Sequence, residues 1–199
     1  HGVVDYLQLM SYLQHLKAPH RKIHSLLKSG ALIRVKKGLY ILGDAYREEP
    51  ISLLLLGNLI YGPSYISQEY ALQYHGLIPE RVDLVTSMTC NRKKNFNTPV
   101  GRFRYTYLNK KRFTVGVDWQ TVRDDMKLLI ASPEKAIVDS VFMFCYIKTP
   151  QAMLLHLTEN MRIDSSDLNA LDKNRLKKIR LAFNHSVVDL LCDVIERGI

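Results

Sequence analysis

Residues 19–42 of the chain read PHRKIHSLLKSGALIRVKKGLYIL. Pro19 suits the first turn of a helix, where its missing N–H has no partner to lose, and Gly30 supplies the stop. Between them, apolar residues recur at a spacing of three to four, which is the period of one helical face. They are Ile23, Leu26 and Leu27. We therefore predict a short helix over residues 19–29.

A β-hairpin is predicted directly after this helix. Residues 31–42 alternate apolar and polar side chains in the pattern of two strands. Residues 36–38 (KKG) interrupt that pattern with a basic turn, in which the glycine can adopt a positive φ. Residues 3–16 carry the period of an amphipathic helix ahead of both elements. This order of elements is that of a winged helix-turn-helix, so we predict such a DNA-binding domain over residues 1–48.

The rest of the chain, residues 49–199, is predicted to form a second domain of the α+β class. Apolar runs indicate a helix over residues 50–61 and a further helix that Ser67 caps. Residues 82–129 instead alternate polar and apolar side chains between Asn- and Lys-rich turns, with one strand pattern at residues 113–117. This region is therefore predicted to form an antiparallel sheet.

Helices are predicted to complete the second domain. Residues 132–134 (SPE) combine a capping serine, a first-turn proline and an acid at the positive end of the helix dipole, so a helix should begin there. The tail over residues 150–199 is helical by pattern, with breaks near Ile163 and His185. The expected fold is α+β: an N-terminal winged helix-turn-helix, then a mixed α/β domain with an antiparallel sheet and a helical C-terminal tail.

The positive charge of the chain is concentrated in two runs. The formal net charge is +9, which points to a polyanion or an acidic surface as the partner. Residues 17–37 hold seven Lys or Arg and no acid, and residues 81–112 hold nine against the single acid Asp83. The remainder of the chain is mildly acidic. Charge confined to two patches suits phosphate binding better than general solubility.

Cysteine usage and hydropathy indicate a cytoplasmic protein without a cofactor. Cys90, Cys145 and Cys192 are odd in number and widely spaced, with no CxxC motif or paired histidine beside them. We therefore expect a reducing compartment and no structural zinc. The most apolar runs are too short for a bilayer or are broken by charges. No membrane partner is expected.

The predicted helix and hairpin carry the candidate DNA-binding residues. Arg and Lys can contact phosphates or the acceptor edge of guanine, and Ser can pair with either kind of base edge. The polar face of the helix and the strands and tip of the hairpin present such residues together, namely Arg21, Lys22, Ser25, Lys28, Arg34, Lys36 and Lys37. The alternative is a solvated basic face of an ordinary helix. The order of elements favours nucleic-acid binding.

A possible second basic patch lies in the other domain. Its members are Arg92, Lys93, Lys94, Arg102, Arg104, Lys110, Lys111 and Arg112, with Phe96, Phe103, Tyr105 and Tyr107 interspersed. Aromatic and basic residues together could bind single-stranded nucleic acid by stacking, or the charges could extend a duplex contact through phosphates alone. In the third interpretation, the aromatic residues form the core and the charges decorate exposed turns.

Candidates for catalysis are weak. Glu134 and Asp139 lie five apart on one predicted helix, and the pair Asp124-Asp125 before Lys127 has a faint likeness to part of a nuclease motif. Neither comes with a second set of carboxylates at a matching spacing. Capping and solvation explain these acids better, so we expect no catalytic residue and no enzyme.

The histidines favour structural interpretations. His15, His20 and His24 are divided between two helices by Pro19, and no further ligand is nearby, so no metal site is expected. His75 precedes a helix-terminating glycine, where a partner for the negative end of the helix dipole is a better interpretation than a catalytic base.

Three segments of the chain, in this order, resemble the AbiEi family of antitoxins. They are SGALIRVKKGLY at residues 29–40, YIS at 65–67 followed by AL at 71–72 and HGL at 75–77, and ASPEKAIVD at 131–139. The family belongs to type IV toxin–antitoxin systems, which provide phage defence by abortive infection. The resemblance covers residues 1–150, and the helical tail only loosely.

The resemblance implies a transcriptional regulator with two activities. An N-terminal winged helix would repress the promoter of its own operon by binding double-stranded DNA at an operator with repeats. The remaining domain would neutralise a nucleotidyltransferase-type toxin without forming a tight complex with it. The DNA-contacting positions of the family correspond to the seven residues from Arg21 to Lys37 named above, whereas Gly38 and Tyr40 correspond to structural parts of the hairpin.

Three other functions stay open on the sequence. The chain could be a protein-interaction antitoxin whose basic patch masks an acidic toxin surface. It could be a general transcriptional regulator without a toxin partner. It could also be a nuclease or another enzyme with a DNA-targeting head.

Overall fold

A three-stranded antiparallel sheet and two helices form the N-terminal part of the structure, a computed structural model that describes residues 2–123, 126–143 and 146–197. The predicted helix at Pro19 and the hairpin after it are both confirmed. The strand order is β1-β3-β2. The elements are β1 (Val3–Asp5), α1 (Tyr6–Leu13), α2 (Pro19–Lys28), β2 (Leu32–Lys36) and β3 (Leu39–Leu42).

The prediction of one helix over residues 3–16 is wrong at its start. Val3 pairs with Ile41 of β3, and the helix begins only after Asp5. The Asp5 carboxylate accepts a hydrogen bond from the Gln8 backbone N–H at 2.8 Å, and Gln8 Oε1 accepts one from the Asp5 N–H at 3.1 Å. This capping box requires an extended backbone at the cap residue, so the preceding residues continue as a strand.

The three-stranded sheet contributes to two hydrophobic clusters. On one face, Leu32 and Tyr40 are buried with Leu9 of α1 and Ile23 of α2. On the other face, Val35, Leu39 and Ile41 join the larger core formed by the rest of the chain. Because adjacent strand residues point to opposite faces, one short hairpin serves both clusters. A domain boundary near residue 48 stays a prediction.

A six-stranded sheet forms the centre of the remaining chain, in the order β6-β7-β5-β4-β9-β8. The strands are β4 (Ser64–Ile66), β5 (Leu84–Thr89), β6 (Lys94–Thr98), β7 (Gly101–Tyr107), β8 (Val117–Arg123) and β9 (Met126–Ala131). The predicted antiparallel sheet is wrong in part. The pairs β4–β5, β6–β7 and β8–β9 are antiparallel, but β5 pairs with β7, and β4 with β9, in parallel. Strand β7 lies between β6 and β5, antiparallel to β6 and parallel to β5.

Helices cover both faces of this sheet. They are α3 (Leu53–Ile60), α4 (Gln68–Tyr74), α5 (Lys110–Phe113), α6 (Pro133–Phe142), α7 (Pro150–Leu155), α8 (Ser165–Asn169), α9 (Lys173–Phe183) and α10 (Ser186–Arg197), with a π-helical turn at His156–Asn160 after α7 and a 3₁₀ turn at Asp44–Tyr46 after β3. The breaks predicted near Ile163 and His185 are confirmed. Among the described residues, no helix combines the length and apolar character that a membrane crossing requires.

Two local predictions in this region are wrong. Of residues 113–117 only Val117 belongs to a strand, as the first residue of β8, because the Asn109 side chain accepts a hydrogen bond from the Arg112 N–H and caps the short helix α5, which Phe113 ends. Ser67 precedes α4 but makes no capping hydrogen bond. Its hydroxyl donates instead to a buried carboxylate, described below.

Gly57 allows α3 to lie directly on the sheet. A Cβ at this position would be 2.5 Å from Ile66 Cδ1 and 3.1 Å from Val85 Cγ1. Both distances are shorter than normal van der Waals contact, so a larger residue would push the helix away from β4 and β5. This close approach brings the carboxyl end of α3 next to the N-terminal hairpin.

Candidate nucleic-acid interface

Helix α2 separates its residues into a packed face and a solvent face. Ile23 is buried, and Leu26 and Leu27 are half-buried in the N-terminal cluster. The solvent face presents four of the predicted DNA-binding residues, which are all exposed: Arg21, Lys22, Ser25 and Lys28. Within the described part of the chain, none of their side chains forms a hydrogen bond or an ion pair. The charges of this face are therefore available to an external anion.

The surroundings of α2 add to this positive potential. The helix contains no acidic residue, and Ala18 provides no side-chain cap, so the positive end of the helix dipole is open. The Tyr6 hydroxyl contacts His20 Nδ1 at 3.4 Å, which ties the start of α2 to α1. The basic face is thus held on a packed support.

The hairpin residues divide into two groups. Arg34 and Lys37 are exposed. Lys36 is half-buried instead, and its Nζ donates a hydrogen bond to the backbone carbonyl of Ile60 at the carboxyl end of α3. Burial, together with the nearby charge of Lys94, lowers the pKa of Lys36. Lys36 therefore connects the hairpin to the larger core, and six of the seven predicted residues remain exposed.

The two basic runs of the sequence meet beside Lys36. Lys94, at the start of β6, lies with its Nζ 5.5 Å from the ring centroid of Tyr61 and 5.0 Å from that of Phe96. These are cation–π distances. Because Lys36 bonds the Ile60 carbonyl and Lys94 lies over the adjacent Tyr61 ring, the middle of the second basic run is close to the N-terminal hairpin.

Strand β7 places two of the four interspersed aromatic residues in the core. Phe103 and Tyr105 are each 1% exposed, so neither ring is available for stacking with a base. The Tyr105 hydroxyl donates to the Gly57 carbonyl at 2.7 Å, and burial raises the pKa of Tyr105. Arg102 and Arg104 alternate with these rings and point to solvent. For Phe103 and Tyr105, the assignment to the core is therefore confirmed.

Other members of the patch differ in their surroundings. Arg112 is half-buried: its Nε donates to the Phe183 carbonyl at 2.8 Å, and its guanidinium lies 4.9 Å from the ring centroid of Phe142. It therefore joins α5 to α9 and is not presented to solvent. The exposed members outside β7 are Arg92, Lys93, Lys94, Lys110 and Lys111.

A buried polar network lies at the centre of the larger core, and the sequence did not reveal it. Asp139 of α6 is fully buried. Its Oδ2 accepts hydrogen bonds from the Tyr65 hydroxyl at 2.8 Å and the Ser67 hydroxyl at 2.7 Å, and its Oδ1 lies 3.0 Å from Lys135 Nζ. Burial raises the pKa of Asp139, while these three donors oppose that shift by stabilising the carboxylate.

Lys135 extends the network to other elements. Its Nζ donates to the Arg112 carbonyl at 2.7 Å and lies 4.2 Å from the ring centroid of Phe183. Burial lowers the pKa of this lysine. The network thus joins β4, α5, α6 and α9 inside a core that solvent does not reach.

Glu134 has a similar role at the start of α6. It is 5% exposed, so the predicted solvation of Glu134 and Asp139 is wrong. Glu134 Oε2 accepts from the Ser132 hydroxyl at 2.7 Å, and Oε1 accepts from the Asp172 backbone N–H at 3.0 Å. The Ser132 side chain also caps the helix by accepting from the Lys135 N–H, as predicted. This acid therefore joins α6 to the start of α9.

The second and third of the segments that carry the family resemblance contact each other in the fold. Tyr65 and Ser67 of the second segment donate to Asp139 of the third. His75 lies at the carboxyl end of α4, and its Nε2 is 2.7 Å from the carbonyl of Ala131. The sequence signal that points to this network is a Lys and an Asp four residues apart on a largely apolar helix, since residues at that spacing are neighbours on one helix face.

Few features of the described residues suggest a metal or catalytic centre. Residues 2–123, 126–143 and 146–197 contain no group of three or more His, Cys, Asp or Glu side chains arranged to hold a metal ion. Asp124 and Asp125 of the faint nuclease motif lie outside the described residues, as does Cys145. Cys90 and Cys192 are free thiols, and burial raises the pKa of Cys192 to about 11.

Comparison of the chain with known protein families and with curated proteins gave no match. The functional interpretation therefore rests on the residues and their geometry. Two surfaces are relevant to this interpretation: the exposed basic face of α2 and the exposed charges of the β6–β7 hairpin.

Proposed function

We propose that the chain is a DNA-binding transcriptional repressor of its own operon and that it has no enzyme activity. In this proposal, residues 1–48 are a winged helix-turn-helix, α2 is the recognition helix and the β2–β3 hairpin is the wing. The observation that carries the proposal is the solvent face of α2, on which four polar or basic side chains are exposed and none is paired within the described residues.

The geometry supports entry of α2 into a major groove. Arg21, Lys22, Ser25 and Lys28 lie on the face opposite Ile23, so the packing that fixes the helix also aims these side chains outward. Arginine and lysine can bond the O6 and N7 acceptors of guanine, and serine can bond several base edges. The packing of α2 on the N-terminal sheet thereby holds these four side chains on a rigid support.

The hairpin supports the role of a wing. Arg34 and Lys37 are exposed, and they would contact phosphates of the flanking backbone. Lys36 holds the hairpin against the end of α3. The wing would therefore be positioned by the larger core and would not move independently of it.

The proposal includes a second role, as the antitoxin of a type IV toxin–antitoxin system in the cytoplasm. Residues beyond 48 would neutralise a nucleotidyltransferase-type toxin without a tight complex. The resemblance to AbiEi antitoxins supports this role, and so does the contact between its second and third segments through Tyr65, Ser67 and Asp139. These contacts place the second and third segments in one structural core.

A reporter fused to the promoter upstream of the chain's own gene tests repression. Expression of the wild-type chain in trans should lower reporter output, and the double variant Arg21→Ala/Lys28→Ala should relieve that repression. A matched control is Lys173→Ala/Lys177→Ala on α9, which removes two exposed charges far along the chain. Equal repression by all three proteins would contradict the proposal.

A further inference from the structure

The outer edge of the six-stranded sheet has a face that no helix covers. On β5, Thr86 and Met88 are buried on this face, and the Tyr70 N–H of α4 donates to Thr86 Oγ1 at 3.2 Å. The next strand, β7, pairs Arg104 with Thr86 in register, yet Arg104 is exposed. The helical layer therefore ends between β5 and β7 and leaves the β6–β7 hairpin open on this side.

Four exposed polar side chains occupy this open face. Asn95 of β6 pairs with Arg104, and Asn97 pairs with Arg102, so all four residues point to the same side. We call them the hairpin-edge surface: Asn95, Asn97, Arg102 and Arg104. The opposite face of the same strands carries Phe96, Phe103 and Tyr105, which are partly or fully buried.

The spacing within this surface fits a nucleic-acid backbone. Arg102 and Arg104 are two residues apart on one strand, which separates them by about 7 Å. That separation is comparable to the distance between successive phosphates on one strand of a nucleic acid. The two asparagines lie roughly 5 Å across the hairpin and add hydrogen-bond donors beside each guanidinium.

The charges of this surface are not neutralised by the protein. Residues 84–117 contain no acid, and the preceding Asp83 contacts Arg81 at 3.3 Å between its Oδ1 and the arginine Nε. Arg102 and Arg104 form no ion pair or hydrogen bond with any residue that the structure describes. The buried Phe103 and Tyr105 fix the backbone between them, so the two arginine side chains start from defined positions on one face of β7.

We propose that the hairpin-edge surface binds phosphates of duplex DNA without reading the base sequence. The proposal rests on the proposed DNA-binding function of α2 and names a second contact on the same duplex. The position of the β6–β7 hairpin supports this choice of partner. Lys36 bonds the Ile60 carbonyl and Lys94, on the opposite face of β6 from the hairpin-edge surface, lies over the adjacent Tyr61 ring, so the two hairpins are neighbours. DNA held by α2 and the wing would pass the outer edge of the six-stranded sheet.

Fluorescence anisotropy on the full chain tests this surface with two labelled duplexes. One is the DNA upstream of the chain's own gene, and the other is a shuffled duplex of the same length and composition. We expect Arg102→Gln/Arg104→Gln to bind both duplexes on the order of tenfold more weakly, since two charge-assisted phosphate contacts are lost. The slope of log K against the logarithm of the salt concentration should become shallower by about 1.8, which is about 0.9 for each lost phosphate contact.

Two control variants separate charge from other effects. Arg102→Lys/Arg104→Lys keeps both charges and should retain the salt dependence of the wild type. Lys173→Gln/Lys177→Gln removes two exposed charges from α9 and should retain wild-type affinity. Circular dichroism and the thermal midpoint of each variant would show that these exposed substitutions leave the fold intact.

The outcomes distinguish this inference from the proposed function. Unchanged affinity of Arg102→Gln/Arg104→Gln, with a wild type that prefers the upstream duplex, would overturn the inference and leave the repressor proposal standing. A loss restricted to the upstream duplex would mean base reading and would also overturn it. Wild-type binding without preference, weakened by the Gln variant, would support the inference and contradict the repressor. Binding to neither duplex would contradict both.

Discussion

The Lys36 ammonium on β2 donates a hydrogen bond to the Ile60 carbonyl at the end of α3. This bond links the three-stranded N-terminal sheet to the helix that covers the six-stranded sheet. A cation at the carboxyl end of a helix is also stabilised by the helix dipole. A lysine that the sequence places at the tip of a DNA-binding hairpin therefore has a structural partner within the protein.

Lys36→Met should lower stability more than it lowers DNA affinity. Loss of the bond to Ile60 should reduce the free energy of unfolding by about 1–2 kcal/mol. The matched variant Lys37→Met removes an exposed charge and should change stability by less than about 0.5 kcal/mol while weakening DNA binding. Urea denaturation and anisotropy on both variants check this. The interpretation fails if Lys36→Met loses affinity and keeps full stability.

Single substitutions on the solvent face of α2 should weaken DNA binding. Arg21→Ala or Lys28→Ala should raise the free energy of binding to the upstream duplex by roughly 1–3 kcal/mol if the side chain contacts a base. Affinity for a shuffled duplex should change less. A mobility-shift titration with both duplexes measures the difference. Wild-type affinity in both variants would place the recognition surface elsewhere on the protein.

Asp139→Asn should be strongly destabilising. The substitution leaves Lys135 buried without its partner, and breaking a buried ion pair reduces the free energy of unfolding by about 3–5 kcal/mol. Lys135→Met/Asp139→Asn should be less destabilised than the sum of the two single variants, with a coupling of roughly 0.5–3 kcal/mol. Denaturation of all four proteins completes the cycle. Additive effects would mean that the two residues do not act as a pair.

Tyr105 should make the protein lose stability at high pH. Burial raises the pKa of Tyr105 above its ordinary value of 10.0 in the folded state. The contribution of this buried phenol to the free energy of unfolding is therefore fully present below pH 10. It declines as the pH rises further, because only the unfolded chain then releases the tyrosine proton. Tyr105→Phe should show a weaker decline above pH 10 in urea denaturation. Tyr107→Phe, on the same strand but exposed, should behave like the wild type.

Local signals made α2 and the following hairpin predictable. Pro19 stands at the first turn of the helix, and Gly30 and Gly38 adopt φ values of +75° and +87° at the two turns. Such positions depend on the backbone of a few neighbouring residues, so the sequence alone indicates them. The exposed basic face of α2 follows directly from the helical period.

Features that depend on distant residues could not be predicted in the same way. Alternation identified β7 as a strand but contains no information about its neighbours, so the parallel pairing with β5 was missed. The burial of Asp139 was missed because its partners are far away in sequence: Tyr65 lies on β4 and Ser67 follows that strand. Lys36 is oriented by the Ile60 carbonyl, which only the tertiary fold supplies.

Direct binding to the DNA upstream of the chain's own gene tests the central claim. The measurement is a competition titration in which the labelled upstream duplex is displaced by unlabelled upstream or shuffled DNA at fixed salt. The account predicts that the upstream duplex competes at least about a thousandfold better, as specific repressors do over non-specific DNA. Equal competition by the two duplexes would contradict the assignment of this chain as a repressor of its own operon.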